Sequence, residues 1–103
     1  SVGQSLYEPE LMDEAKRILD KTRIPKPVDV VVADAFSDTA NIRPVSVGDL
    51  ADAEMIWDVG SPTAAALAAE MGRAKTIIWN GPLGVFEMSP FAEGVMDFVS
   101  AKY

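Results

Sequence analysis

Three short apolar runs separated by helical sequence restrict the fold of this chain more than any other feature. They occupy residues 28–33, 55–59 and 76–80, and a further short strand is predicted over 45–47. The first run is β-branched and almost wholly apolar, which is typical of a strand covered on both faces. Strands that alternate with helices predict an α/β fold of three layers, with helices flanking a mainly parallel sheet.

Three helices are predicted from proline positions, periodicity and caps. The first begins near Pro9, carries apolar residues at helical spacing and ends near Thr22. The second begins with Ser61 as its N-cap and ends with Gly72 as its C-cap, and the third covers residues 91–102. These helices supply the layers on either side of the predicted sheet.

The excess of acidic residues and the absence of Cys and His exclude several classes of function. Nine basic and sixteen acidic residues give a net charge of −7, which disfavours nucleic acid as a partner. Without Cys or His, the chain has no disulfide, no Cys/His zinc site and no His general base. No apolar run is long enough to span a bilayer, and no signal peptide is recognisable. An anionic ligand would need local donors, helix N-termini, a metal or basic groups from elsewhere.

The number of elements points to a part of a larger domain. The chain begins at Ser1 without an initiator Met. Three or four strands and three helices are too few to cover both faces and both edges of a parallel sheet. We therefore expect residues 1–103 to form a single partial domain, a fragment that self-associates through its open sheet edges.

The third apolar run leads into a loop rich in Gly and Pro over residues 80–84. Gly81 and Gly84 would let the backbone approach a ligand closely, and Pro82 stiffens the turn. Open α/β folds bind their ligands where strands end in this way. The same residues also suit an ordinary strand-to-helix turn, since Asn-Gly is common turn chemistry. The spacing alone leaves both interpretations open.

Three neighbouring features are candidates for ligand contact, each with a structural alternative. The apolar pair Val85 and Phe86 could hold a flat base or sugar while Glu87 accepts hydrogen bonds from vicinal hydroxyls, or Phe86 is core and Glu87 a solvated charge. The helix N-terminus at residues 58–63 could receive an anion, but capping by the serine there is the favoured interpretation. Asp34 and Asp38 could bind Mg²⁺, but a solvated turn explains them better.

Taken together, these motifs resemble those of phosphoglycerate kinases. Residues 79–87 read Trp-Asn-Gly-Pro-Leu-Gly-Val-Phe-Glu, an unbroken match to the family signature of Trp-Asn-Gly-Pro, an apolar residue and Gly-Val-Phe-Glu. Residues 3–8 resemble the family's Gly-Lys-Ser-Leu-Tyr-Glu, residues 27–34 its Pro-Val-Asp-Val-Val-Val-Ala-Asp, and residues 55–60 its strand ending in Asp-Ile-Gly. The resemblance covers almost the whole chain in order and is closest to bacterial members.

The resemblance implies a two-domain glycolytic kinase that transfers a phosphoryl group between 1,3-bisphosphoglycerate and ADP with Mg²⁺. This chain would be the middle part of the C-terminal domain, a partial Rossmann-like domain that binds ATP or ADP. 3-Phosphoglycerate would bind only through an N-terminal domain that this sequence lacks. The parent enzyme would be cytoplasmic and usually monomeric, with neither nucleic acid nor a membrane as a partner.

Carried over residue by residue, the resemblance assigns seven residues to one wall of the nucleotide site. They are Ile56, Trp57, Asn80, Gly81, Pro82, Phe86 and Glu87. Glu87 would accept hydrogen bonds from the ribose hydroxyls, and Phe86 would lie against the ribose or base. Ile56 and Trp57 would flank the adenine, and the Asn-Gly-Pro segment would lie along the nucleotide. No catalytic residue and no metal ligand is assigned, because the family's catalytic-site Lys and its Mg-nucleotide Asp belong to segments that this sequence lacks.

Departures from the family pattern limit these expectations. Gln4 stands where the family has Lys, and Ile56-Trp57 stands where many members have Gly-Leu, so the adenine wall would have a different shape. With so many parts of the site absent, we expect the chain to be inactive alone. The alternative function is a non-catalytic α/β module that acts by associating with other proteins.

Overall fold

The computed structural model describes residues 2–94 and 96, which form an α/β arrangement around a small sheet. The strands are β1 (Asp29–Ala33), β2 (Ile42–Ser46) and β3 (Met55–Val59). The helices are α1 (Met12–Lys21) and α2 (Ser61–Arg73), and 3₁₀ turns lie at Pro9–Leu11, Val47–Asp49 and Ser89–Phe91. Within these residues, neither helix has the length and apolarity that crossing a bilayer requires.

The sheet has β1 at its centre, in the order β2-β1-β3. The predicted combination of sheet and helices is confirmed, but β1 pairs antiparallel with both neighbours, whereas a mainly parallel sheet was predicted. The cause of the β1–β2 pairing is local. Residues 34–41 join the two strands without a crossover helix, so the chain turns back beside itself.

All five residues of β1 are buried, which makes this strand the core of the described structure. Val30 and Val32 pack with Val45 of β2, and Leu50 and Ile56 cover the cluster. Successive side chains of a strand point to opposite faces. Complete burial therefore means that both faces of β1 are covered, as its apolar sequence predicted.

A buried pair, Asp29 and Thr63, joins β1 to the first turn of α2. Asp29 Oδ1 accepts a hydrogen bond from Thr63 N at 3.0 Å. Thr63 Oγ1 accepts from Val28 N at 3.0 Å and from Asp29 N at 3.1 Å. The N-cap is Gly60, and Ser61 is the first helical residue, so the predicted capping by Ser61 is wrong. The helix end considered above for an anion already holds a carboxylate of the chain itself.

The glycines at the two ends of α2 differ in whether packing requires a residue without a side chain. A Cβ on Gly60 would lie 1.6 Å from Asp29 Oδ2, so only glycine leaves room for the capping carboxylate. At the other end, the helix continues through Gly72 to Arg73 and has Ala74 as its C-cap. The prediction that Gly72 is the C-cap is therefore wrong. No atom would lie within 4 Å of a Cβ on Gly72, so packing does not require glycine there.

Residues 3–5 form what we call the N-terminal strap, which lies along β3 and the residue before it. Gln4 N donates to Glu54 O at 2.7 Å. Ser5 Oγ accepts from Ile56 N at 2.8 Å. These contacts satisfy backbone groups on an edge that would otherwise be open to another strand.

A charged clamp joins β2 to the segment just before β3. Arg43 Nε donates to Glu54 Oε1 at 3.1 Å, and Ala51 N donates to Glu54 Oε2 at 3.0 Å. The hydrogen bond from Arg43 is the main cause that holds the pKa of Glu54 below its ordinary value, and the one from Ala51 adds to it. The two hydrogen bonds therefore favour the ionised form of this carboxylate.

The first helix has the predicted bounds but is not covered by the rest of the described structure. The Pro9–Leu11 turn leads into α1, and Thr22 is its C-cap. None of its residues is buried, and the apolar Ile18 is 44% exposed. The segment after α1 is joined to α2 by an ion pair of 2.7 Å between Arg23 and Glu70. The apolar face of α1 thus remains open to solvent.

The prediction of a strand over residues 76–80 is wrong. This segment lies outside the sheet, and Ile78 is 90% exposed. A strand needs a neighbouring backbone, and the side of β3 away from β1 is covered by the N-terminal strap. The predicted helix over residues 91–102 is described only at its start, where Met96 N donates to Ala92 O at 3.0 Å. The remainder lies outside the described residues.

Candidate functional site

An apolar groove of about 420 Å³ lies between β3 and the loop that follows residue 80. Its lining residues are Pro27, Val30, Ile56, Trp57, Asp58, Val59, Gly84 and Val85. The structure therefore brings the predicted Ile56 and Trp57 together with the second half of the Gly/Pro loop. The lining contains no Lys or Arg. Such a groove suits the face of a flat, uncharged ring and offers nothing to a phosphate.

A β-bulge on β3 explains how this strand holds the loop. Val31 pairs with Asp58 and Val32 with Ile56, so the register shifts by one residue and Trp57 is the extra residue on β3. The Trp57 carbonyl accepts a hydrogen bond from Val85 N at 3.0 Å. Bulges occur beside functional sites because they re-aim backbone groups. Here the bulge directs a strand carbonyl to the loop instead of to β1.

The indole ring of Trp57 is fixed by two other aromatic rings. Its centroid is 4.9 Å from that of Phe36 and 5.8 Å from that of the fully buried Phe91, with interplanar angles of 28° and 30°. Within the described part of the chain, the buried Trp57 Nε1 has no hydrogen-bond partner. A buried donor without an acceptor costs about 1–3 kcal/mol. Aromatic packing must therefore offset that cost and hold the groove wall in place.

Gly84 brings the loop into contact with β3. Its φ of 65° is in the left-handed region, where glycine is strongly favoured. A Cβ on Gly84 would lie 2.5 Å from Phe91 O and 2.6 Å from Asp58 Oδ1. The glycine is required both by its backbone conformation and by the close approach of these two oxygens.

Phe86 and Glu87 stand next to the groove wall in a tight turn. Met88 N donates to Val85 O at 3.0 Å, which places Phe86 and Glu87 at the two central positions. Both side chains are exposed, and the fraction for Phe86 is 47%. They are thus accessible to a molecule that binds beside Val85, although neither lines the groove.

The other predicted site residues, Asn80, Gly81 and Pro82, are exposed and do not line the groove. Trp79 Nε1 donates to Gly81 O at 2.5 Å, which folds the segment back on itself. Gly81 has a φ of 86° and open space around its Cα. Its glycine therefore serves the backbone turn and not a close contact.

Asp34 closes a loop in the described structure. Its Oδ1 accepts from Asn41 N and its Oδ2 from Asn41 Nδ2, both at 3.2 Å. Nearby, Arg43 and Glu54 line a cavity of about 590 Å³ and pair with each other across it. Among the described residues, no group of three or more acidic side chains is arranged to hold a metal ion.

Six of the eight groove residues were not among the seven assigned site residues: Pro27, Val30, Asp58, Val59, Gly84 and Val85. Gly84 was expected to let the backbone approach a ligand, and Val85 to form an apolar pair with Phe86, but neither was among the residues assigned to the nucleotide wall. Asp58 was considered only as part of a helix N-terminus. In the sequence, Asp58 is only a single carboxylate at the end of an apolar strand. A carboxylate is buried only when hydrogen-bond donors or charges of the protein pair with it.

Comparison with known proteins identifies the family. The sequence model of phosphoglycerate kinase matches residues 1–102. The structure is similar to that of phosphoglycerate kinase from Coxiella burnetii, with 40% identity, a TM-score of 0.93 and coverage of 98% of this chain and 27% of that one. It is also similar to phosphoglycerate kinase from Pyrococcus horikoshii OT3, with 28% identity, a TM-score of 0.76 and coverage of 89% of this chain and 23% of that one.

These values show to which family the chain belongs and how much of a family member's length it covers. The chain spans about a quarter of the length of the solved structures that it resembles, since 27% and 23% of those chains are covered. The match nevertheless includes nearly every residue of this sequence. This chain belongs to the phosphoglycerate kinase family.

Proposed function

We propose that this chain forms one wall of the ATP/ADP site of a phosphoglycerate kinase. The observation that carries the proposal is the apolar groove that unites Ile56 and Trp57 with Gly84 and Val85. Family membership supports a nucleotide as the ligand. The parent enzyme would act in the cytoplasm, transferring a phosphoryl group between 1,3-bisphosphoglycerate and MgADP.

In this proposal the groove receives the adenine ring. Its lining is apolar and lacks basic residues, which fits a base and not a phosphate. The exposed turn beside Val85 then places Phe86 against the ribose and Glu87 at its hydroxyls, where a carboxylate accepts two hydrogen bonds. Asn80 to Pro82 would lie along the rest of the nucleotide.

The same composition of the groove argues against turnover by this chain alone. Phosphoryl transfer depends on positioning and on neutralising the charge of the transferred group. The groove offers no cation, and the chain carries a net charge of −7. We therefore propose that residues 1–103 are a partial domain without independent activity. Consumption of ATP by the purified chain in the presence of 3-phosphoglycerate would contradict this.

Glu87→Ala is expected to weaken MgADP binding about tenfold. The reason is the loss of the hydrogen bonds between the carboxylate and the ribose hydroxyls, whose net contribution at this exposed position is about 1.4 kcal/mol because water competes for both partners. The wild-type dissociation constant should be about 1 mM, because this wall lacks phosphate contacts. Titration followed by NMR measures affinities in this range.

Two controls make the Glu87 result specific. Glu10→Ala removes another exposed carboxylate, far along the chain, and should leave the affinity unchanged. A nucleotide without ribose hydroxyls, 2′,3′-dideoxy-ADP, should bind wild type and Glu87→Ala equally. If wild type binds ADP and the dideoxy nucleotide with the same affinity, the ribose role of Glu87 is wrong.

Association through exposed apolar surface is a second candidate function. The accessible surface is 7340 Å². A compact monomer of 11.1 kDa would expose only about 5,700 Å². Leu11 and Ile18, which lie on one face of the first helical segment, are 52% and 44% exposed. Apolar surface of this kind favours burial against another molecule.

We expect the chain to self-associate through this face of α1. The weight-average mass from light scattering should rise with protein concentration and fall towards the monomer value in Ile18→Lys. Asp20→Asn changes the net charge by the same amount on an exposed polar residue and should leave association unchanged. A constant monomer mass at high concentration would exclude self-association by this route.

A further inference from the structure

Asp58 is a buried carboxylate whose two oxygens both accept hydrogen bonds from backbone N–H groups. It is 3% exposed. Its Oδ2 accepts from Gly94 N at 2.9 Å, and its Oδ1 accepts from Val59 N at 2.8 Å. Ionised carboxylates are common acceptors for backbone donors, but they are rarely this deeply buried. The arrangement therefore joins the end of β3 to the start of the last helical segment.

Two glycines pack directly on this carboxylate. A Cβ on Gly84 would lie 2.6 Å from Asp58 Oδ1, and a Cβ on Gly94 would lie 2.5 Å from the same atom. The chain thus reaches Asp58 from both sides of the turn that carries Phe86 and Glu87. A change in the position of this carboxylate must move both ends of the segment between the two glycines.

The neighbouring residue of β3 supplies a second tether to the same loop. Trp57 O accepts from Val85 N at 3.0 Å, directly beside the contact between Asp58 and Gly84. The groove is lined by Ile56 and Trp57 of β3 and by Gly84 and Val85 of the loop. The position of these loop residues on β3 is thus set by two consecutive residues of one strand, Trp57 and Asp58.

We infer that Asp58 is the positioning residue of the groove: it fixes the Gly84–Val85 wall relative to Ile56 and Trp57. It acts through the loop backbone, because Gly84 packs on it and Gly94 N donates to it. The inference rests on the proposed function, and it identifies a residue that fixes the shape of the groove in which a flat base would bind.

The carboxylate cannot be replaced by an amide here. Asn has one acceptor oxygen and one donor nitrogen on its side chain, whereas Asp58 accepts on both sides. In Asp58→Asn, the amide NH₂ must face either Gly94 N or Val59 N, and two donors then oppose each other. The isosteric change therefore releases one end of the tether while preserving volume.

The test is Asp58→Asn, examined by amide hydrogen exchange and by MgADP titration at a temperature where the variant remains folded. We expect faster exchange at Gly94 and Val85, unchanged exchange at Thr63, and about tenfold weaker MgADP binding. Thr63 N is bonded to Asp29 and reports on the rest of the fold. A merely structural role would lower protection at Thr63 as well.

Gly84→Ala and Gly72→Ala complete the comparison. Gly84→Ala pushes the loop away from the same carboxylate and should add little to the loss of affinity in Asp58→Asn. Gly72→Ala introduces a Cβ into open space and should leave MgADP binding and the exchange of Gly94 and Val85 relative to Thr63 unchanged. Full additivity of Asp58→Asn and Gly84→Ala would overturn the inference.

Failure of this inference and failure of the proposed function give different results. If wild type does not bind MgADP but Asp58→Asn exposes Val85 to exchange, the nucleotide role is wrong and the positioning role stands. If Val85 exchange is the same in both proteins, the positioning role is wrong whatever binds. If Asp58→Asn does not fold, amide exchange of the wild-type protein provides the test. The inference requires the amides of Gly94 and Val85 to become exposed to exchange in the same opening event. If they exchange through independent openings, the inference is wrong.

Discussion

Gly84→Ala is expected to lower the free energy of unfolding by about 2–4 kcal/mol. The φ of 65° alone disfavours a residue with a Cβ by about 1–2 kcal/mol. The Cβ would also lie 2.5 Å from Phe91 O and 2.6 Å from Asp58 Oδ1. Neither oxygen can yield easily, since one is backbone and the other is held by Gly94 N and Val59 N. Chemical denaturation measures the change.

Two other glycines separate the causes of this effect. Gly81 has a φ of 86°, and a Cβ there would have no atom within 4 Å. Gly81→Ala should therefore lower the free energy of unfolding only by the backbone strain, about 1 kcal/mol. Gly72→Ala lies in α2 with open space and should stabilise the chain by up to about 1 kcal/mol. If Gly84→Ala costs no more than Gly81→Ala, the loop does not pack against Asp58 as described.

Thr63→Val is expected to destabilise the chain by about 2–4 kcal/mol, although its shape hardly changes. The Thr63 side chain is almost fully buried, and its hydroxyl accepts from Val28 N and Asp29 N. The hydroxyl also donates to Asp29. A methyl group leaves the buried N–H of Asp29 and the partly buried N–H of Val28 without this acceptor, and an unpaired buried donor costs about 1–3 kcal/mol. Relaxation and entry of water recover part of that sum.

The control for this prediction is Thr22→Val. Thr22 is the exposed C-cap of α1, so the same chemical change there should alter the free energy of unfolding by less than about 0.5 kcal/mol. Urea unfolding of both variants gives the comparison. Equal midpoints for Thr63→Val and Thr22→Val would show that the link between β1 and α2 does not stabilise the fold.

Local pattern was sufficient to predict most elements of this chain. The β-branched sequence of β1 predicted a strand buried on both faces, and β3 was predicted with the bounds found, residues 55–59. The first helix was bounded by Pro9 at its start and by Pro25 and Pro27 soon after its end near Thr22, and both are local signals. These features depend on residues that are neighbours in sequence.

The features that sequence did not predict depend on distant partners. The cap of α2 comes from Asp29, which lies 34 residues before Thr63. The antiparallel pairing of β3 with β1 and the bulge at Trp57 follow from packing across the sheet. Residues 76–80 have the composition of a strand, but a strand forms only where a backbone edge is available. Periodicity carries no information about any of these contacts.

In the candidate site too, sequence predicted some of the residues but not the long-range contacts that hold the others. Ile56 and Trp57 were predicted from a resemblance, and the structure places them on one wall of a groove. The loop residues Gly84 and Val85 are held by a bulge carbonyl and by the buried Asp58, and the sequence pattern predicts neither contact. Contacts at Asn80, Gly81, Pro82, Phe86 and Glu87 remain predictions, because these residues are exposed around the groove and do not line it.

The N-terminal strap has a consequence for the order in which the chain folds. β1 and β2 are joined by eight residues, so their pairing closes a short loop, whereas Gln4 and Glu54 are fifty residues apart. The strap can bind only after β3 has paired with β1, because its partners Glu54 and Ile56 are otherwise unplaced. We therefore expect the hairpin to form early and the first residues of the chain to dock last.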